Sequence, residues 1–92
     1  MAQFQYGFIV KAPGYGLGNN DTALESEQFK SNIVGVGSIE EGCEAAKALV
    51  AKGVTLIELC SGFKADDAKQ VFEAIEGAAK VGYIGEFLVK EA

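Results

Sequence analysis

Apolar and polar side chains alternate at the start of the chain. From Gln3 to Lys11 the alternation has a period of two, which is typical of a β-strand. The sequence therefore predicts a strand over 3–11, with one face formed by Phe4, Tyr6, Phe8 and Val10. Residues 12–21 follow, and their glycines, asparagines and proline predict a loop.

The pattern beyond the loop is less uniform at first. Residues 22–30 fit either a short helix or an extended lead-in to the next element. Residues 31–37 contain the β-branched side chains Ile33, Val34 and Val36, and they predict a second strand.

The first predicted helix has signals at both ends. Ser38 and Glu41 have the spacing of a capping box, in which Ser38 accepts a hydrogen bond from the Glu41 amide and the Glu41 side chain reaches back to the Ser38 amide. Gly53 is a suitable stop. Between them, apolar residues recur at helical spacing at Ile39, Cys43, Ala46 and Val50.

Two strands and one helix complete the pattern. Residues 54–60 are nearly all apolar, which indicates a strand buried on both faces of a parallel sheet. A second helix is predicted over 65–76, with Gly77 able to end it. The last predicted strand covers 81–89.

This order of elements defines the fold class. The order β, loop, β, α, β, α, β predicts a single α/β domain over 1–92, with about four mostly parallel strands and two main helices. Two helices are too few to cover both faces of such a sheet. We therefore expect a homo-oligomer, with Phe4, Tyr6 and Phe8 as the contact surface; the alternative is that residues 22–30 fold over this aromatic row.

Composition excludes several classes of function. The net charge is −5 and no basic stripe is present, so neither nucleic acid nor an anionic membrane is an expected partner. The absence of histidine removes Ser-His and Cys-His nucleophiles and the commonest transition-metal ligand. We predict no metal site and no cofactor. Two cysteines and no secretory signal indicate reduced thiols in the cytoplasm.

Candidate ligand contacts gather where the predicted strands end. The stretch 53–63 reads as a strand, a tight turn and the start of a helix, and ligands of parallel sheets usually bind at this edge. Acidic residues in the first turns of both helices disfavour an anionic ligand. The predicted ligand-binding residues are Ser61, Gly62, Phe63, Pro13, Gly14 and Ser38.

Glu58 and Cys60 are the candidate catalytic residues. Glu58 lies within an apolar strand, where a carboxylate with a raised pKa could serve as a general base near Cys60. The alternative is a structural Glu58 that pairs with Lys11 or Lys64 or with a neighbouring subunit. Cys60 is either a reactive thiolate at a helix amino terminus or a small buried hydrophobic residue.

Gly14, Gly16 and Gly18 have a spacing that resembles a nucleotide-binding loop only loosely. The G-x-G-x-G order matches neither the dinucleotide fingerprint nor the lysine-bearing phosphate loop. A mobile surface loop or lid is the favoured interpretation.

Several short motifs resemble a small prokaryotic family of uncharacterised α/β proteins, a domain of unknown function. They are the stretches 8–14, 34–36, 53–63 and 81–85. The central motif of that family is similar to Glu-Leu-Cys-Gly-Gly-Phe, so Ser61 replaces a glycine here. The family often has an arginine near the position of Glu86. The resemblance implies a compact α/β fold and no particular activity.

Three functions follow as hypotheses. The first is a small cytosolic oligomer that binds a small molecule at the carboxyl edge of the sheet. The second is an enzyme of isomerase or lyase type that uses Glu58 as an acid/base. The third is an assembly module whose interface is the apolar sheet face.

Overall fold

The computed structural model describes residues 3–85 and confirms the α/β class with two helices and a mostly parallel sheet. Within the described residues the sheet has five strands, one more than the predicted four or so. In chain order the elements are β1 (Phe4–Lys11), β2 (Asp21–Glu25), β3 (Phe29–Val36), α1 (Ile39–Ala51), β4 (Leu56–Leu59), α2 (Ala65–Ala74) and β5 (Lys80–Tyr83).

The additional strand is β2, at one edge of the sheet. The strand order is β2-β3-β1-β4-β5; β2 is antiparallel to β3, and the other neighbours pair in parallel. A short turn joins β2 to β3, in which the Ser26 amide donates to the Phe29 carbonyl and the Phe29 amide donates to Ser26 Oγ. The extended interpretation of 22–30 is thus confirmed. The alternative in which this segment folds over the aromatic row is wrong, because the segment widens the sheet instead.

The two crossovers explain why both helices lie on the same face. The chain passes from β3 through α1 to β4, skipping β1, and then from β4 through α2 to β5, so both steps move across the sheet in one direction. Right-handed crossovers in one direction place their helices on one side. Accordingly α1 contacts α2, β1 and β3, and α2 contacts β5. The other side, on which no helix of residues 3–85 lies, is called the helix-free face below.

The hydrophobic core lies between the helices and the sheet. Its fully buried strand residues are Ile9, Val36, Ile57 and Leu59, and the helix layer adds Leu49 and Val71. The prediction that the third parallel strand is buried on both faces is wrong. In β4, Ile57 and Leu59 are buried, whereas Leu56 is half-buried and Glu58 is exposed on the helix-free face.

The ends of α1 follow the sequence signals closely. Ser38 Oγ accepts the Glu41 amide at 3.1 Å, as predicted. The reciprocal half of the capping box is absent here, because the Glu41 carboxylate accepts the amides of Gly37 and Leu17 instead. At the other end Gly53 has a φ of 99°, and the amides of Gly53 and Val54 donate to helix carbonyls in a Schellman arrangement.

The end of α2 is shifted from its predicted position. The helix stops at Ala74, and the first residue in the left-handed region is Glu76 with a φ of 53°, followed by Gly77. Beyond it, β5 covers Lys80–Tyr83. The remainder of the predicted last strand, including Glu86, lies outside the described residues.

Candidate functional site

The helix-free face is a continuous surface that crosses all five strands. In paired strands, residues in register point to the same side of the sheet. On this face Tyr6 lies between Ser31 and Leu56, and Phe8 lies between Ile33 and Glu58. The strand residues of this face are Thr22, Leu24, Phe29, Ser31, Ile33, Gly35, Phe4, Tyr6, Phe8, Val10, Leu56, Glu58, Lys80 and Gly82.

Aromatic rings form a cluster at the amino-terminal end of this face. The ring centroids of Phe4 and Phe29 are 5.3 Å apart in a stacked arrangement, and those of Tyr6 and Phe29 are 5.8 Å apart. Such offset pairs are worth about 0.5–1.5 kcal/mol beyond their area burial. Phe4 and Phe29 nevertheless remain 42% and 43% exposed.

Tyr6 and Glu58 form the polar centre of this face. Tyr6 Oη donates to Glu58 Oε1 at 2.5 Å between the adjacent strands β1 and β4. Desolvation on the sheet, and then the hydrogen bond and negative charge of Glu58, raise the pKa of Tyr6 to about 12. The tyrosine is therefore a proton donor at neutral pH, and the carboxylate is the acceptor.

The structure gives Glu58 a partner that sequence reasoning missed. Within residues 3–85 it forms no ion pair with Lys11 or Lys64, the partners considered above. Tyr6 was predicted only as part of a contact surface. Both side chains point to the same face of the sheet, and this alternation can be read from the sequence. It links Tyr6 to Glu58 only once β1 is known to lie beside β4.

The Cys60 thiol is engaged by backbone groups. Its Sγ accepts the Lys11 amide at 3.2 Å and the Gly62 amide at 3.3 Å, and lies 3.8 Å from the Lys11 carbonyl oxygen. A Cβ added at Gly62 would stand 2.7 Å from the Lys11 carbonyl oxygen, so the turn fits only with glycine at this position. Cys60 is half-buried and its sulfur is hydrogen-bonded, so it is not simply a small buried hydrophobic residue, and the structural and catalytic interpretations both stay predictions.

Buried Phe63 and Cys43 belong to the helix layer. Phe63 is fully buried, and its ring lies where a Cβ on Gly42 would approach to 3.0 Å. Cys43 is buried in α1, where desolvation raises the pKa of its thiol. Phe63 thus packs into the core next to α1, on the helix side of the sheet, and its side chain is not exposed at the sheet edge.

The other predicted ligand contacts do meet at one edge of the sheet. The Ala12 amide donates to the Val36 carbonyl at 3.1 Å, which brings the start of the loop beside β3, and Gly62 approaches Lys11 from the other side. Pro13, Gly14 and Ser61 are exposed there, whereas the Ser38 hydroxyl is used by the helix cap.

A cavity of about 400 Å³ opens at this edge on the helix-free face. It is lined by Val10, Ile33 and Gly35 from the sheet and by Tyr15, Asn19 and Asn20 from the loop. The loop lies close over β3, because a Cβ on Gly35 would be 2.8 Å from the Tyr15 ring and the Gly35 amide donates to the Asn20 carbonyl at 2.8 Å.

Glu41 ties the same loop to the start of α1. Its carboxylate accepts the amide of Leu17 at 3.1 Å and that of Gly37 at 2.9 Å. The loop that was predicted as a mobile lid is thus held by hydrogen bonds to both β3 and α1. Glu41 was predicted only as part of a helix cap.

Two classes of feature are missing from residues 3–85. No group of three or more acidic, cysteine or histidine side chains within that range is arranged to hold a metal ion. No helix in the same range has the length and apolar character required to cross a membrane.

Comparison with known proteins gives one match. A protein-family model described as a family of unknown function, DUF6506, matches residues 4–89, which is nearly the whole chain. No curated protein and no solved structure matches. The predicted resemblance to a family of unknown function is confirmed, and this chain belongs to that family, DUF6506.

Proposed function

We propose that this protein binds a small molecule on the helix-free face, towards the carboxyl edge of the sheet, with Glu58 as the polar anchor. The observation that carries the proposal is the 2.5 Å hydrogen bond from Tyr6 to Glu58, set within an apolar surface. We further expect a cytoplasmic homo-oligomer. We also expect the relatives to be prokaryotic proteins with a central motif similar to Glu-Leu-Cys-Gly-Gly-Phe.

The second oxygen of the Glu58 carboxylate defines the ligand chemistry. Oε1 accepts from Tyr6, whereas Oε2 lies on the side of Gly82, 3.7 Å from the place of a Cβ on that glycine, and no donor within residues 3–85 bonds to it. A carboxylate oxygen accepts hydrogen bonds from ammonium, amide or hydroxyl groups. The Tyr6 hydroxyl donates to Glu58 and does not offer its proton to an anion. The preferred ligand therefore combines an apolar body with a cationic or neutral donor.

The predicted edge residues enter this proposal in two roles. Ser61, Gly62, Pro13 and Gly14 are exposed and are proposed to contact the ligand at the rim. Ser38, Phe63 and Cys60 hold the rim in place through the helix cap, the core and the turn hydrogen bonds.

The test uses two fragments of opposite charge on the isotopically labelled protein. Phenethylammonium should bind the Glu58 carboxylate and so shift the amide NMR signals of the nearby residues Tyr6 and Leu56. Phenylacetate, which carries a negative charge, should not shift them. Glu58→Gln should abolish the shifts. The control Glu73→Gln removes an exposed carboxylate from α2 and should leave them unchanged. Equal shifts with both fragments, or full binding by Glu58→Gln, would contradict the proposal.

An enzyme that uses Glu58 as an acid/base is the second candidate. The observation that favours it is again the Tyr6 hydrogen bond, because a positioned carboxylate with a proton donor at its side can remove and return a proton. An isomerase or lyase would need such a transfer next to a carbonyl group.

A proton-exchange experiment separates this candidate from simple binding. With 4-phenyl-2-butanone in deuterated water, an acid/base Glu58 should accelerate loss of the α-proton NMR signals. Glu58→Gln should lose this acceleration while Glu73→Gln retains it. No acceleration by the unmodified protein would count against the acid/base role and would leave the binding proposal in place.

A further inference from the structure

The helix-free face is unusually apolar for a surface in contact with water. Most of its 14 strand residues are aromatic or aliphatic, and Leu24 is 67% exposed. Soluble monomers rarely expose contiguous apolar patches larger than a few hundred Å². A face of this composition, which continues across five strands, is typical of an interface rather than of a solvated sheet.

The size of the face matches what a stable pairing requires. The five strands have 8, 5, 8, 4 and 4 residues; with a spacing of about 4.8 Å and a rise of about 3.3 Å per residue they give a face of roughly 460 Å² in projection. Two such faces in contact bury roughly 900 Å² in projection, and the side chains that protrude from each face bring the buried area to about the 1,000 Å² that a specific interface requires. The contact is therefore large enough without any contribution from the helices.

Charge favours a second copy of the chain as the occupant. The whole chain has a net charge of −5, so two copies repel each other in most orientations. Among the strand residues of the helix-free face, however, Glu58 and Lys80 are the charged pair, and their charges cancel. The face carries no net charge of its own, so its approach to a second copy meets less like-charge repulsion than the rest of the acidic surface, whereas a strongly basic partner would find little to attract it.

We infer that two copies pair through their helix-free faces, sheet against sheet, about a two-fold axis that lies in the plane between them. The inference specifies the oligomer expected above and does not depend on ligand binding. Sheets packed in this way lie about 10 Å apart, with strand directions offset by about 30°. The central strand β1 then brings Tyr6 and Phe8 close to the middle of the contact.

This pairing would enclose the Tyr6–Glu58 site. Once covered, a carboxylate with one donor within residues 3–85 becomes costly, since each buried charge requires compensation. A ligand donor, or a polar side chain of the second copy, would provide it. The two copies together would thus form the walls that the shallow face of one chain lacks.

The experiment measures the mass of the full-length chain in solution by sedimentation velocity over a range of concentrations. The unmodified protein should sediment as a dimer. Phe8→Glu places two carboxylates near the two-fold axis and should yield a folded monomer, judged by circular dichroism. The matched control Phe72→Glu changes a 44% exposed phenylalanine on α2, away from the helix-free face, and should remain a dimer.

A second variant guards against a misfolded Phe8→Glu protein. Leu24→Lys alters the large hydrophobic residue of the face with the highest exposed fraction, 67%, on edge strand β2, and should weaken the dimer at least about tenfold without affecting the core. A monomeric unmodified protein at all concentrations would overturn the inference. So would dissociation by Phe72→Glu with Leu24→Lys still dimeric, which would move the interface to the helices.

Discussion

The two faces of the sheet carry similar residues but meet different surroundings. On the helix side Ile9, Ile57 and Leu59 are fully buried, whereas on the opposite side Phe4 and Phe29 keep about two fifths of their surface exposed. Hydrophobicity alone does not separate these two sets. The difference arises because both crossovers place their helices on one side of the sheet. An apolar strand residue is therefore buried when its side chain points towards the helices, and is more exposed when it points to the other side.

Two adjacent residues of β4 provide the sharpest test of this comparison. Ile57→Ala removes buried methyl groups on the helix side and should lower the free energy of unfolding by about 2–4 kcal/mol. Leu56→Ala, one residue earlier on the helix-free face, should cost about 1 kcal/mol or less in the isolated chain. Urea denaturation at low protein concentration measures both. Equal losses would show that the helix-free face is as well packed as the core.

The end of α2 offers a change confined to the helix layer. Glu76 adopts a left-handed backbone that costs a residue with a Cβ about 1 kcal/mol. Glu76→Gly should therefore raise the free energy of unfolding by about 0.5–1 kcal/mol. The control Glu73→Gly places glycine within the helix and should lower it by about 1 kcal/mol. Thermal denaturation distinguishes the two signs, and no stabilisation by Glu76→Gly would contradict the assigned helix end.

A spectroscopic titration examines the polar centre of the helix-free face. The phenolate of Tyr6 is identified as the absorbance that Tyr6→Phe removes, and it should titrate with a pKa of about 12. Glu58→Gln should lower this pKa only in part, because desolvation, the largest cause of the shift, remains. Because the folded-state pKa is raised, the stabilisation that Tyr6 contributes is complete below about pH 10 and is lost as the pH rises through about 12. An unchanged pKa of Tyr6 in Glu58→Gln would show that the hydrogen bond is absent in solution.

Local features were the most predictable part of the fold. The strand face of Phe4, Tyr6 and Phe8, the Ser38 cap and the Gly53 stop depend on residues close together in the chain, and all three agree with the structure. The Glu41 carboxylate departs from the capping-box pattern because the loop over β3 brings the Leu17 amide within its reach. That contact spans 24 residues and leaves no local signature.

The candidate site was predictable only in its components. Glu58 was noticeable as a charge in an apolar strand, but its partner Tyr6 lies 52 residues away in the chain. Similarly, the hydrophobic run 54–60 indicated burial on both faces, because parallel strands usually have helices on each side. Two crossovers in one direction remove that cover from one face, and the positions of Leu56 and Glu58 follow from this.

Outside residues 22–30, the sequence by itself determined the kinds of element, most of their ends within a few residues, and the class of the fold, since these depend on side-chain periodicity, caps and glycine conformations close together in the chain. Only the tertiary structure decided that β1 lies between β3 and β4, that β2 widens the sheet, and that both helices share one side. These features depend on hydrogen bonds between strands distant in the chain. That arrangement joined Tyr6 to Glu58 and left a second apolar face for another molecule to cover.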